Sequence, residues 1–176
     1  MQLIIFIGAV LLFLLILAGT LGSFRKPLIE KSTMPGYQLM GIPYQGSYQK
    51  IGPSIKKIAE IARKNGWTPE IIAVYFDNPR EVKDTDCRAL AAIRVNSAQQ
   101  NILKNEHLDS LIIPPGTAAV CHWKGKSLPT RIMGAIRVYP HLQQFMAQSN
   151  SLDRVQYVYE VYEKTETIFV MQYLEK

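Results

Sequence analysis

The sequence predicts an α+β fold: a strand-helix-strand-strand unit written twice, its strands forming one antiparallel sheet with helices on one face, preceded by one transmembrane helix. Three observations carry that prediction. Residues 1–24 hold no charged side chain, and 3–21 are almost entirely Leu, Ile, Phe, Val, Ala and Gly. From Gly36 onward, the extended and helical patterns of the first half recur in the same order in the second. Each half opens on an extended stretch ending in aromatic-x-Gly, Tyr44-Gln45-Gly46 and Trp123-Lys124-Gly125.

The whole chain is 176 residues, 48% hydrophobic and 19% charged, with two cysteines. That is room for one domain and an appendage, and it excludes a disordered chain and a disulfide-stapled scaffold. About 20 apolar residues at 1.5 Å each match the hydrocarbon core of a bilayer, so 1–24 read as an N-terminal anchor that places residues 3–21 in lipid. A cleaved signal peptide would need a positive start and a small-residue cleavage site, and the Ala18–Gly22 region matches poorly. Arg25, Lys26 and Lys31 follow the helix and nothing basic precedes it. The expected orientation is therefore N-terminus outside and folded domain in the cytoplasm, at the plasma membrane in a bacterium or the endoplasmic reticulum in a eukaryote. There Cys87 and Cys121 are expected as reduced thiols.

Residues 25–35 read as a linker and 36–176 as the folded domain. The stretch 36–46 is extended, and Pro43 marks it as an edge strand. Ile51, Ile55, Ile58 and Ala62 recur at helical spacing between Pro53-Ser54 and the stop signal Asn65-Gly66. Ile71–Phe76 is a buried strand, broken by Asp77-Asn78-Pro79, and Cys87–Val95 is the next. In the second half, 117–125 is a strand and a helix begins near Pro129, restarting at Pro140. Strands 155–162 and 167–174 close the chain.

Parity along 155–162 puts Val158, Glu160 and Tyr162 on one face. Aligning Val74-Tyr75 with Val161-Tyr162 sets Glu160 against Ala73, so the duplication is broken there by a charge. A carboxylate in such a strand pairs internally, binds a ligand, or stays at the surface. Tyr75 and Tyr162 would flank it, a lining suited to flat or cationic amphipathic molecules. Gly125-Lys126-Ser127 lacks the earlier glycine of a phosphate loop, and adjacent Cys121 and His122 point to opposite faces. No set of residues has metal-ligand spacing and no catalytic set or cofactor motif is present. The balance of +6, with Lys56, Lys57, Arg63 and Lys64 on one helix, reads as a solvated or lipid-facing basic face, and no nucleic-acid partner is expected.

Tyr44-x-Gly46, Val74-Tyr-Phe-Asp-Asn-Pro79 and Glu160-Val-Tyr162 make residues 36–176 resemble GyrI-like domains, small-molecule-binding modules of multidrug-responsive regulators and gyrase-inhibitory proteins. With Cys87-Arg88, Arg137-Val-Tyr-Pro140 and the anchor, the chain is also similar to a narrower type, the testis-expressed, membrane-anchored ER-phagy receptors of animal cells. The resemblance implies that Glu160 is the pocket acid, complementary to a cationic or polarised ligand, with Tyr75, Tyr162, Trp123 and Tyr44 around it. Some GyrI-like proteins resemble hydrolases of reactive small molecules, in which that glutamate would assist water. The receptor type implies a disordered tail carrying an adaptor motif. Here the sequence ends at Lys176, and the aromatic-x-x-aliphatic stretches 48–51 and 139–142 fall in or beside folded elements. The expected function is a membrane-held domain that binds a small amphipathic molecule. The alternatives are a protein-interaction adaptor or a glutamate-dependent hydrolase.

Overall fold

The computed structural model describes residues 2–103 and 106–175. It contains four α-helices among these residues: α1 (Gln2–Leu21), α2 (Gly52–Lys64), α3 (Ser97–Leu103) and α4 (Leu128–Gln148). The strands are β1 (Glu30–Met34), β2 (Tyr37–Gln45), β3 (Ile71–Tyr75), β4 (Arg88–Arg94), β5 (Asp109–Ile113), β6 (Gly116–Lys124), β7 (Val155–Tyr162) and β8 (Glu166–Tyr173). They form one antiparallel sheet in the order β1-β6-β8-β7-β3-β4-β2-β5. The duplicated units are β2-α2-β3-β4 and β6-α4-β7-β8, as the sequence order predicts. Strand β1 lies within the stretch expected as linker, and β5 was not expected.

These two extra strands explain each other. Strand β1 precedes the first unit yet pairs with β6 of the second, and β5 precedes the second yet pairs with β2 of the first. The units thus exchange edge strands. For the same reason β2 is internal, not the edge that Pro43 suggested. Strand β5 covers only Tyr37–Gly41 of β2, so Pro43 lies beyond it, where its missing N–H leaves no ladder bond unmade.

Helices α2 and α4 pack on one face of the sheet, α2 over β2, β3 and β4, and α4 over β6 and β8. The opposite face is also core, because the sheet curls and buries Leu39, Ile72, Val74, Val120, Tyr159 and Val170 against one another. Tyr37 meets Tyr159 edge-on at 5.7 Å there. The buried Tyr159 hydroxyl donates to Gln172 Oε1, whose amide donates in turn to Pro114 O. This chain of bonds satisfies the polar groups carried inside.

Helix α4 runs unbroken through Pro140, where a restart was expected. Proline removes one backbone donor and crowds the preceding turn. Pro140 and Ile136, whose carbonyl loses its donor, both lie on the exposed side of the helix, and His141 Nδ1 meets the next carbonyl, that of Arg137, at 2.9 Å.

The exposed side chains of α1 include Phe6, Leu11, Leu12, Phe13 and Ile16. Among the described residues no helix is long and apolar enough to cross a membrane. Of the expected span 3–21, the side chains of Leu3, Ile4, Ile5, Leu14, Leu15, Leu17 and Leu21 lie outside that description.

Gly41 supplies a direct test of the β2–β4 contact. A Cβ there would fall 2.6 Å from Ala91 O and 2.8 Å from Ala92 Cα, both backbone atoms that cannot step aside. Gly41→Ala is expected to cost about 1–3 kcal/mol, as overpacking of a filled core does, measured by denaturant unfolding.

Candidate functional site

Strands β3 and β7 join the two units. Their register pairs Ala73 with Glu160, the two residues that the internal alignment makes equivalent. Equivalent residues face each other directly only on the axis relating the halves, so the charge that breaks the duplication sits on that axis. Tyr75 and Tyr162, also equivalents, then lie symmetrically about it, and their hydroxyls meet at 3.4 Å.

Glu160 is buried, with 6% of its surface exposed, on the face covered by helices. It has no ion pair with a basic side chain among the described residues. Instead, Tyr162 donates to Oε2 at 2.6 Å and Tyr139, from α4, donates to Oε1 at 2.9 Å. Tyr75 stands edge-on to Tyr139 at 6.5 Å and tilted against Tyr48 at 4.7 Å. Phe169, paired with Glu160 across β8, meets Tyr139 edge-on at 5.6 Å. On the other side the floor is small, Ala73 then Ala91. The result is a carboxylate ringed by Tyr75, Tyr139 and Tyr162, with Tyr48 behind Tyr75.

The electrostatics follow from this burial. Desolvation raises the pKa of Glu160, opposed by the hydrogen bonds of Tyr162, Tyr139 and Tyr75 and by the positive charge of Arg131. Burial, then the Glu160 charge, pushes Tyr75, Tyr139 and Tyr162 well above the ordinary phenol range. Tyr48 is pushed up to about 12, chiefly by burial. The phenols therefore stay protonated and act as donors. Arg131 lies over the Tyr162 ring at 4.8 Å and donates to Glu163 O. Its Nε is buried with no hydrogen-bond partner.

A pH dependence follows with a definite sign. The folded chain holds the Glu160 proton more tightly than the unfolded chain, so it binds more protons between the ordinary value near 4.5 and the raised folded value. The contribution of Glu160 to stability is full below that window and falls as pH rises through it. Denaturant unfolding across pH is expected to show this fall in the native chain and its loss in Glu160→Gln.

Of the residues expected to line the site, Tyr75 and Tyr162 are brought to Glu160, while Tyr44 and Trp123 are not. Ala89 separates Tyr44 from Tyr75 across the sheet. Tyr44 lines an open hollow of about 640 Å³ with Phe76, Arg88 and Asp109, and its hydroxyl donates to Ser47 O. Trp123 is two strands away, in register with Thr167 and then Tyr162. It is a packing residue whose indole N–H donates to Thr130 O. A Cβ on Gly134 would fall 2.7 Å from its ring, and one on Gly22 3.0 Å. Its match to Tyr44 reflects the repeated strand end, not a shared role.

Sequence reasoning missed Tyr48, Tyr139 and Arg131 as site residues. Tyr48 and Tyr139 open the two aromatic-x-x-aliphatic stretches, and both turn inward. The Tyr48 hydroxyl donates to the carbonyls of Asp77 and Arg88, Tyr139 donates to Glu160, and Ile51 and Leu142 are buried. Neither stretch is presented to a partner. Cys87 and Cys121 are both free and buried, and burial raises the Cys121 pKa to about 11.

A family model described as the GyrI-like small molecule binding domain matches residues 29–169. Among solved structures, the chain is similar to an integron cassette protein from the mobile metagenome of Vibrio cholerae, at 13% identity over 85% of this chain and 98% of that one, with a TM-score of 0.54. It is similar to EcmrR in its complex with DNA, at 15% identity over 99% and 69% of the two chains and a TM-score of 0.64. It is also similar to SAV2435 bound to tetraphenylphosphonium, at 13% identity over 84% and 94% and a TM-score of 0.52. At these identities the likeness is one of fold. No curated protein matches the chain by sequence.

Proposed function

Because the chain belongs to the GyrI-like small molecule binding domain family, we propose that Glu160 and its ring of tyrosines recognise a small amphipathic cation. The observation that carries this is a buried carboxylate whose hydrogen-bond partners are neutral phenols, so that its negative charge is left unneutralised by a direct ion pair. Such a charge attracts a cation that can shed its own hydration, and the tyrosine faces add cation–π contact. That the fold neighbour SAV2435 is bound to tetraphenylphosphonium in its structure makes this ion the natural probe. Calorimetric titration of the full-length protein is expected to give saturable binding of tetraphenylphosphonium and none of tetraphenylborate, which has the same shape and opposite charge. Equal binding of the two ions would contradict the reading.

Arg131, held over Tyr162 and bonded to Glu163 O, brings a positive charge that opposes a cationic guest. Arg131→Gln is expected to tighten cation binding severalfold in the same titration.

The proposal includes placement at a membrane, with α1 as anchor and the domain on the cytoplasmic side. It is supported by the charge-free residues 1–24, the exposed apolar side chains of α1, and Arg25, Lys26 and Lys31 beyond it. Membranes extracted with alkaline carbonate are expected to retain the protein, and its release would overturn the anchor. The likeness to ER-phagy receptors adds no element to this proposal.

A further inference from the structure

The chain leaving α1 does not hang free of the domain. Ser23 Oγ donates to Met133 Sδ at 3.6 Å, Arg25 donates to Lys124 O and stacks over Trp123 at 5.9 Å, and Arg137 donates to Arg25 O. Residues 22–25 are therefore seated along α4 at Met133 and Arg137. The neighbouring positions round the helix, Leu128, Ile132 and Ile136, recur every four residues and so share one stripe. Among the described residues the stripe is left largely open: Leu128 is 67% exposed, Ile132 43% and Ile136 61%. Phe24 and Leu28, on the seated segment and just after it, are 68% and 78% exposed.

Basic side chains predominate around this face, with Glu166 in register with Lys124 and Glu163 beside Arg131. Between Asp109 and Asp153 the sequence has no acidic residue, while Lys124, Lys126, Arg131 and Arg137 fall inside that interval. Arg25 and Lys26 add to it from the seated segment. An apolar stripe framed by basic side chains, continuous with the end of an apolar helix, has the composition of a surface that lies at a bilayer interface. A protein partner or a second copy would not need the continuity with α1.

We propose that the α4 face bearing Leu128, Ile132 and Ile136, together with Phe24 and Leu28, lies on an anionic lipid surface and holds the domain in one fixed orientation to it. This rests on the reading of α1 as an anchor. The geometry gives the face a consequence for the binding site: Tyr139 and Arg131 come from the same helix, so the guest would approach Glu160 close to the lipid headgroups, where an amphipathic cation concentrates.

The test uses the full-length chain in vesicles, with an environment-sensitive fluorophore on a cysteine placed at Ile136, and at Ile112 on β5 as the exposed control. Both native cysteines are buried, and both replaced side chains point outward. In phosphatidylserine-containing vesicles, a quencher carried on the lipid chains is expected to quench the Ile136→Cys probe severalfold more than the Ile112→Cys probe. High salt or pure phosphatidylcholine should reduce the difference, because the basic residues lose their partner. Equal quenching at the two positions overturns the proposal even if carbonate leaves the protein in the membrane. Shielding of the Ile136→Cys probe that rises with protein concentration in detergent, without lipid, also overturns it in favour of a second copy. If carbonate releases the protein, the anchor reading fails and this proposal falls with it, whereas equal quenching in a carbonate-resistant membrane overturns the face alone.

Discussion

Glu160→Gln is expected to weaken binding of a lipophilic cation by about 10- to 100-fold, a loss of about 1.4–2.8 kcal/mol, while the protein remains folded. The change removes one formal charge and keeps the shape and an acceptor for one phenol. Its effect on stability should be small or favourable at neutral pH, because ionised Glu160 is held in a site whose burial disfavours the charge. Circular dichroism and a melting curve establish the fold, and calorimetry reads the affinity. The combination matters: a variant as stable as the native chain that no longer binds separates a recognition role from a packing role. Tyr139→Phe and Tyr162→Phe should act in the opposite sense on stability. Each leaves a carboxylate oxygen short of a donor, at about 1.5–3 kcal/mol for a lost bond to a charged group.

The largest effect on stability is expected for Phe169→Ala, at about 3–5 kcal/mol by denaturant unfolding. Phe169 is fully buried beneath α4, in register between Cys121 and Glu160. Removing its ring empties volume in a filled core and takes away the edge-on contact that positions Tyr139. Cation affinity is therefore expected to fall together with stability, unlike in Glu160→Gln. Phe169→Leu, which keeps most of the volume, should recover much of the stability and less of the affinity, since Leu offers no ring to Tyr139.

The fold was legible where local pattern and tertiary role agree. The duplicated units, helix α2 and strands β3, β4, β6, β7 and β8 came through because each carries its own apolar period and its own breakers. The face of Glu160 followed from strand parity, and its equivalence to Ala73 from the internal alignment, which the β3–β7 register then placed on the axis. Strands β1 and β5 were not legible. Glu30–Met34 has one buried side chain, Met34, and Asp109–Ile113 one, Ile113, so neither shows a period of its own. Their strand character comes from pairing with the other unit.

Half of the site was legible for the same reason. Tyr75 and Tyr162 flank Glu160 by register within the central strands, which parity can deliver. Tyr139 and Arg131 reach it from α4, and no spacing within one element encodes how a helix is rotated over a sheet. Tyr44 and Trp123, which the resemblance put around Glu160, stand apart from it, one lining a surface hollow and the other packed close to Gly22 and Gly134. Pro140 misled as well, because a proline on the exposed side of a long helix stays within it here.

The central claim is that the guest sits against Glu160, and the most direct measurement is photo-crosslinking of the full-length protein with a diazirine-bearing lipophilic cation, mapped by peptide sequencing. The account predicts adducts on Tyr75, Tyr139 or Tyr162, competed away by tetraphenylphosphonium and absent in Glu160→Gln. Adducts confined to the hollow beside Tyr44 and Phe76, equally strong in Glu160→Gln, would contradict it.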